Sequence, residues 1–310
     1  MPSPIQRLHH REPMPDTLRG AIVALGNFDG FHLGHQRVAG EAIAWAKAET
    51  RPAVVATFDP HPVRHFQPDV PPFRLTTLDQ RQELFADAGA DAMLVFDFGA
   101  QLASTGAEGF VDLLVDHLGA AGVVTGEDFS FGKGRSGNVD VLRDLGAARG
   151  LETRRVGPVS EDDSVVSSSR IRDALQAGDP ATATRLMTRP FAIRSEVVHG
   201  DKRGRELGYP TANLELGQYL RPRFGVYAIT ARLPDGREVK GAANLGTRPQ
   251  FDPPKELLEP YLFDFDGDLY GQEIEVALHR FLRPEAKFDS LDALIAQMEA
   301  DCERARELLE

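Results

Sequence analysis

The sequence predicts an α/β chain: a parallel-sheet domain over residues 1–186, then a small antiparallel β-barrel domain with a C-terminal helix over 187–310. Three observations carry this. Short apolar runs alternate with helical periodicity through the first half. After about Met187 the pattern changes to strand signals joined by tight turns. The chain closes on an amphipathic helical pattern, roughly Leu291 to Leu309.

Ala21 to Leu25 (AIVAL) reads as a buried strand, and a helix follows from about His35 through Ala48. PAVVATF, AMLVFDF and GVVTG are further strand candidates; TLDQRQELFADAG, AEGFVDLLVDHLG and VDVLRDLGAARG have helical periodicity, and ETRRV reads as a strand. Continuous apolar strands alternating with helices imply a parallel sheet covered on both faces, with ligands at the carboxyl ends of its strands. In the second half FAIRSEVVHG, GVYAITARLPDGREVKGAANLG and LYGQEIEVALHRFL read as strands, with a turn at Pro234-Asp235-Gly236. The boundary falls near Arg189–Pro190, with almost no linker. No internal repeat or low-complexity tract is found.

Of 310 residues, 42% are hydrophobic, enough for two cores. The single cysteine, Cys302, excludes an intramolecular disulfide and fits a reducing cytosol. The first residues, MPSPIQRLHHREPMPD, lack the apolar core of a signal peptide, and no apolar run is long enough to cross a bilayer. The expectation is a cytoplasmic protein without a membrane partner. A net charge of −12 argues against broad nucleic-acid binding but leaves local phosphate sites open. Small-molecule substrates are expected, and the oligomeric state is left open.

The segment GNFDGFHLGH, Gly26 to His35, runs from a strand into a helix. Its glycines allow close backbone approach, and a helix N-terminus favours anions. His32 and His35, three apart, share a face at a helix start. Two imidazoles and free amides suit charge developing on a phosphate under attack. Gly26, Asn27, Phe28, Asp29 and Gly34 are therefore candidate phosphate contacts. The spacing is neither a dinucleotide fingerprint nor an H-E-x-x-H zinc pair. The plainer alternative is two surface histidines in a glycine-rich turn. VSSSRIR, Val166 to Arg172, is on its own equally an N-cap followed by a solvated arginine.

Together, H-x-G-H after the first strand and S-S-S-x-x-R after the last resemble the nucleotidylyltransferase superfamily, with its Rossmann-like sheet. TFDPHP (Thr57 to Pro62) and GEDFSFGKGRSG (Gly126 to Gly137) narrow the resemblance to the FMN-adenylyltransferase module of bifunctional bacterial FAD synthases. The resemblance implies that Asn27, His32 and His35 contact ATP phosphates, and that Arg172 with Ser167, Ser168 and Ser169 holds the triphosphate. Asp59, His61, Asp128, Phe129 and Phe131 would shape the flavin side, although both phenylalanines could equally be core. Phe31 stands where a branched aliphatic residue is usual.

In the second half, GDKRGRELGYPTANL, Gly200 to Leu214, contains a glycine-punctuated basic loop. Phosphate contact through Gly200, Lys202 and Gly204 is one reading; a loop of solvated charges is the other. It is not a Walker A loop. The P-T-A-N element resembles the riboflavin-kinase family, which implies Thr211 and Asn213 as ligands of Mg²⁺ and nucleotide phosphate. NLGTRP (Asn244 to Pro249) and LEPYLFDFDGDLYG (Leu258 to Gly271) match the same family, placing Glu259 as catalytic base. Tyr261 stands where many relatives carry histidine, and Tyr209 where phenylalanine is commoner.

The resemblance thus implies a bifunctional transferase: riboflavin is phosphorylated to FMN, and FMN is adenylated to FAD, with ATP as co-substrate and Mg²⁺ as metal. Two alternatives keep the architecture. In one, the kinase is active and the first domain adenylates another phosphorylated acceptor. In the other, the chain is a flavin-binding regulatory module.

Overall fold

A computed structural model describes residues 5–199, 209–248 and 255–310. The chain divides into two compact units, one of residues 1–71 and 76–167, the other of 72–75 and 168–310.

The first unit holds a six-stranded, all-parallel sheet. Its strands are β1 (Gln6–His9), β2 (Ile22–Leu25), β3 (Ala53–Asp59), β4 (Ala92–Asp97), β5 (Gly122–Gly126) and, later in the chain, β8 (Glu152–Val156). Their order across the sheet is β1-β4-β3-β2-β5-β8. Two-residue hairpin strands β6 (Ser130–Phe131) and β7 (Gly137–Asn138) pair with each other, as do β9 (Ser160–Glu161) and β10 (Ser164–Val165). The helices are α1 (Leu33–Ala48), α2 (Pro62–Phe66), α3 (Leu78–Asp87), α4 (Ala100–Ser104), α5 (Ala107–Asp112) and α6 (Val139–Ala147). A π-helical turn, Leu113–His117, continues α5.

β2 shows why the sheet is sandwiched. All four of its residues are buried. Ile22 and Ala24 face a cluster holding Val38, Ala42 and Trp45 of α1; Val23 and Leu25 face one holding Phe110 of α5 and Leu142 of α6. Alternation with period two therefore sends apolar side chains to both faces, and each face needs helices. β1 was not expected from the sequence; its short polar QRLH has only Leu8 buried, the pattern of an edge strand.

The second unit begins with α7 (Ser168–Ala177) and α8 (Pro180–Met187). A closed barrel follows: β11 (Phe191–Val198), β12 (Asn213–Glu215), β13 (Gly225–Arg232), β14 (Glu238–Arg248), β15 (Lys255–Leu262) and β16 (Glu273–Arg283), ordered β11-β12-β15-β14-β13-β16 and antiparallel throughout. Closure leaves no free edge. Helix α9 (Leu291–Leu309) starts at an N-cap, where Ser290 Oγ accepts from the Ala293 amide, 3.2 Å. It packs Ala305 against Ala228, Ala242 and Phe263 of the barrel wall. Asp301 of α9, buried at 7%, accepts a forked pair of bonds from Arg283 of β16, at 3.0 and 2.7 Å. Cys302 is half-buried on α9, and burial pushes its thiol up to about 11. It is a packing residue rather than a nucleophile. No described helix is long and apolar enough to cross a membrane.

Helix α8 packs on β11 and β16 of the barrel and α7 packs on α8; Ile171, Leu175, Ala183, Leu186 and Met187 are buried. A fragment of residues 168–310 is therefore expected to unfold at a higher temperature than one of 187–310, which discards the buried Ile171, Leu175, Ala183 and Leu186; melting curves by circular dichroism compare them. A second expectation concerns packing in the first unit. A Cβ added at Gly122 would fall 2.8 Å from Trp45 Cζ2 and Cζ3, against an indole only 4% exposed. Gly122→Ala should cost the first unit about 1–3 kcal/mol by overpacking, read from denaturant titration of the Trp45 fluorescence.

Candidate active sites

The loop between β2 and α1 is held from beneath. Asp29, 3% exposed, takes bonds at Oδ1 from the Thr76 amide (3.0 Å) and hydroxyl (3.1 Å). Thr76 Oγ1 in turn accepts from the Gly30 amide at 3.0 Å. Arg81, also 3% exposed, donates to Thr57 Oγ1 (2.8 Å) and to the Asn27 carbonyl (3.2 Å), and Thr57 donates to that same carbonyl at 2.6 Å. These bonds hold three left-handed residues in place: Phe28 (φ 49), Gly30 (φ 83) and Phe31 (φ 36). The two phenylalanines drop into the core against Phe85, with ring centroids at 5.8 and 5.1 Å. Phe31 is thus an anchor, which explains an aromatic at that position.

His32 caps α1. Its Nδ1 accepts from the Gly34 amide (3.1 Å) and the His35 amide (3.4 Å). An accepting Nδ1 carries no hydrogen, so in the neutral ring the proton is on Nε2, which is a donor. His35 stacks on His32 with centroids 3.6 Å apart and planes 20° apart. A Cβ at Gly34 would meet His32 Cε1 at 3.1 Å and the Val166 carbonyl at 3.8 Å. The chain leading into Ser167 therefore passes the histidine loop. Asn27 Oδ1 is buried without a hydrogen-bond partner, and such an atom is costly unless a ligand or water meets it.

The other residues singled out in the sequence fall as follows. Ser168 and Ser169 are the first residues of α7, and Arg172 lies one turn on, its Nε donating to the Phe73 carbonyl at 2.8 Å. All belong to the second compact unit. Asp59 ends β3, and His61 caps α2, its Nδ1 accepting from Val63 at 3.2 Å. Asp128 is exposed. Phe131 is 7% exposed and packs on Phe110 at 5.0 Å, so its ring belongs to the core; Phe129 stacks over it at 5.8 Å. Sequence reasoning passed over a second aromatic group in the same unit. Phe66 of α2 is 66% exposed and, with His65, packs on Phe98 at 5.8 and 5.6 Å. It also passed over Arg81. The one available signal was an arginine on the inward face of a helical pattern. Gly200, Lys202 and Gly204 lie outside the described residues.

In the barrel, register assembles the second site. Leu214 pairs with Leu258, and Thr211 bridges Tyr261. Between them Asn213 falls opposite Glu259, while on the other side Glu259 pairs with Asn244. Cross-strand partners share a face, so Asn213, Glu259 and Asn244 form a row across β12, β15 and β14. Thr211 and Tyr261 form the next row. Tyr261 packs on Tyr209 and Phe263, at 5.1 and 5.9 Å. Its place is structural, in line with its departure from the family's histidine. Arg248 is ion-paired to Glu259 Oε2, and Asn244 Nδ2 stands 3.5 Å from the same oxygen.

Two family models match the chain: FAD synthetase over residues 14–170 and riboflavin kinase over 187–309. The chain is 39% identical to the bifunctional riboflavin kinase/FMN adenylyltransferase of Pseudomonas fluorescens, covering 98% of this chain and 97% of that one. It is 36% identical to the protein of that name from Escherichia coli K12, covering 98% and 96%, and 36% identical to that from Bacillus subtilis, covering 92% and 91%. A crystal structure described as a macrolide-efflux protein from Streptococcus pneumoniae superposes with a TM-score of 0.88 at 31% identity, over 97% of this chain and 99% of that one.

The His32 geometry separates two roles of one ring. His32→Asn retains a capping oxygen and should melt near the wild-type temperature. His32→Ala removes the acceptor and should cost about 1 kcal/mol, read from the melting of the first unit.

Proposed function

The chain belongs to the family of bifunctional riboflavin kinases/FMN adenylyltransferases, and we propose that it phosphorylates riboflavin to FMN with one ATP and adenylates FMN to FAD with a second. The observation that carries this reading is that each family match contains its own assembled set of polar groups. The histidine loop lies within 14–170 and the Glu259 row within 187–309.

In adenylyl transfer an FMN phosphate oxygen attacks the α-phosphorus of ATP, a new P–O bond forms, and pyrophosphate leaves. No protein nucleophile is required, so catalysis rests on positioning and charge stabilisation. His32, held by its cap through Nδ1, would donate from Nε2 to the phosphate, and the stacked His35 would add a second imidazole. Asn27 Oδ1 would gain its missing partner from a ligand or its water. Gly26 and Gly34 would allow backbone approach. The side chains of Phe28 and Asp29 would act indirectly, by holding the loop. The family resemblance assigns triphosphate contact to Ser167, Ser168, Ser169 and Arg172. For the flavin, Asp59, His61, Asp128 and Phe129 remain candidates, joined by Phe66, whose exposed ring offers a flat apolar surface.

In phosphorylation the terminal ribityl hydroxyl attacks the γ-phosphorus and ADP leaves. Glu259 would accept the hydroxyl proton. Mg²⁺ suits the neighbouring groups: a threonine hydroxyl and an asparagine amide oxygen are hard donors, and Thr211 and Asn213 lie on one face beside Glu259. The ion would neutralise phosphate charge when bound. A reducing, cytoplasmic setting accords with the unpaired thiol and with substrates found there.

Purified protein given riboflavin, ATP and Mg²⁺ should yield FMN first and FAD second, resolved by chromatography. Glu259→Ala should stop FMN formation yet still convert supplied FMN to FAD. His32→Asn should do the reverse, lowering FAD formation by roughly 100-fold or more while FMN accumulates. Parallel loss of both products in a folded variant would sink the two-site reading.

A further inference from the structure

Glu285 lies two residues beyond β16, outside every motif matched above, yet its carboxylate reaches the Glu259 row. Its Oε1 accepts from Asn244 Nδ2 at 3.3 Å and stands 3.6 Å from Arg248 Nη1. The same two residues contact Glu259: Arg248 Nη2 pairs with Glu259 Oε2, and Asn244 Nδ2 is 3.5 Å from it. One guanidinium and one amide are thus shared between two carboxylates on opposite sides. Glu285 gets there by crossing the face of Gly246. A Cβ at that position would fall 2.8 Å from Oε2 and closer still to Oε1. Gly246 has no left-handed φ and sits mid-strand, so backbone conformation does not demand glycine there. The Cβ position is instead occupied by the Glu285 carboxylate, which a side chain there would displace.

We propose that Glu285 is a positioning residue for riboflavin phosphorylation, holding Arg248 and Asn244 so that Glu259 keeps an oxygen available to the substrate hydroxyl. This rests on the reading of Glu259 as the base. A guanidinium presents its donors as a rigid fork that fits both oxygens of one carboxylate. With Glu285 in place the fork is split, Nη2 to Glu259 and Nη1 toward Glu285. Without it, the Arg248 fork and the Asn244 amide lose their pull away from Glu259 and shift toward it. Both of its oxygens would then be occupied by donors, and the carboxylate would be turned from the hydroxyl it must deprotonate. The role proposed bears on deprotonation of the bound hydroxyl, so the effect belongs in kcat.

The test uses the full-length protein, with FMN-to-FAD conversion as the control for folding and steady-state riboflavin phosphorylation as the readout. Glu285→Gln is expected to lower the kinase kcat about 10-fold or more, with KM for riboflavin nearly unchanged and adenylyl transfer intact. Gly246→Ala should reproduce that loss by displacing the carboxylate, and the double variant should lose little beyond either single one, because both remove the same interaction. A Glu285→Gln enzyme with wild-type kcat would overturn the proposal, as would a rise in KM at constant kcat or fully additive losses. Glu259→Gln is measured alongside. Near-normal kinase turnover there refutes the base assignment itself, whereas a dead Glu259→Gln with a normal Glu285→Gln refutes only the role of Glu285.

Discussion

The Asp29 carboxylate, buried and bonded to both polar groups of Thr76, is the contact on which the loop between β2 and α1 depends. A chain leaving a parallel sheet loses its ladder partners at once, and its buried polar groups need others. Here Asp29, Thr76 and Gly30 satisfy one another on one side of the loop, and Arg81, Thr57 and the Asn27 carbonyl do so on the other. Hydrogen bonds to charged groups are each worth about 1.5–3 kcal/mol. That is enough to offset the cost of left-handed Phe28 and Phe31, about 1–3 kcal/mol each. The strained loop is what places the capping His32 at the start of α1.

The barrel meets a different constraint. Its pairing register is set by the apolar face: Leu214, Leu245 and Leu258 are fully buried, and a slip of one residue would expose them. With the apolar positions fixed, the intervening Asn213, Asn244 and Glu259 are committed to the other face, side by side. The polar row is therefore a by-product of core packing, and its geometry is as firm as the core. Helix α9 secures the same wall through Ala305 and the Asp301–Arg283 fork.

How much was legible in the sequence differs by residue. Periodicity located α1, the central strands and α9, the last to the residue, because Ser290 caps it and its apolar stripe is continuous. The histidines were found because glycine and histidine in that spacing have few other uses. Their division of labour was not: that His32 caps the helix through one nitrogen and leaves the other to donate follows only from the Gly34 and His35 amides. Phe129 and Phe131 show the limit, since a motif lists both rings but burial puts Phe131 in the core.

The sequence by itself determined the class of fold, the two clusters of polar motifs and the chemistry they suit, because these rest on local periodicity and on residue types at short spacing. Tertiary structure alone decided which distant residues meet. Arg81 reaches Asn27 across 54 positions, and Glu285 reaches Asn244 across 41. Glu285 carries no local signal, and Arg81 carries only its place on the inward face of a helical pattern, which does not say what it meets. Only the register of the barrel and the packing of α3 beneath the loop bring their charges to bear.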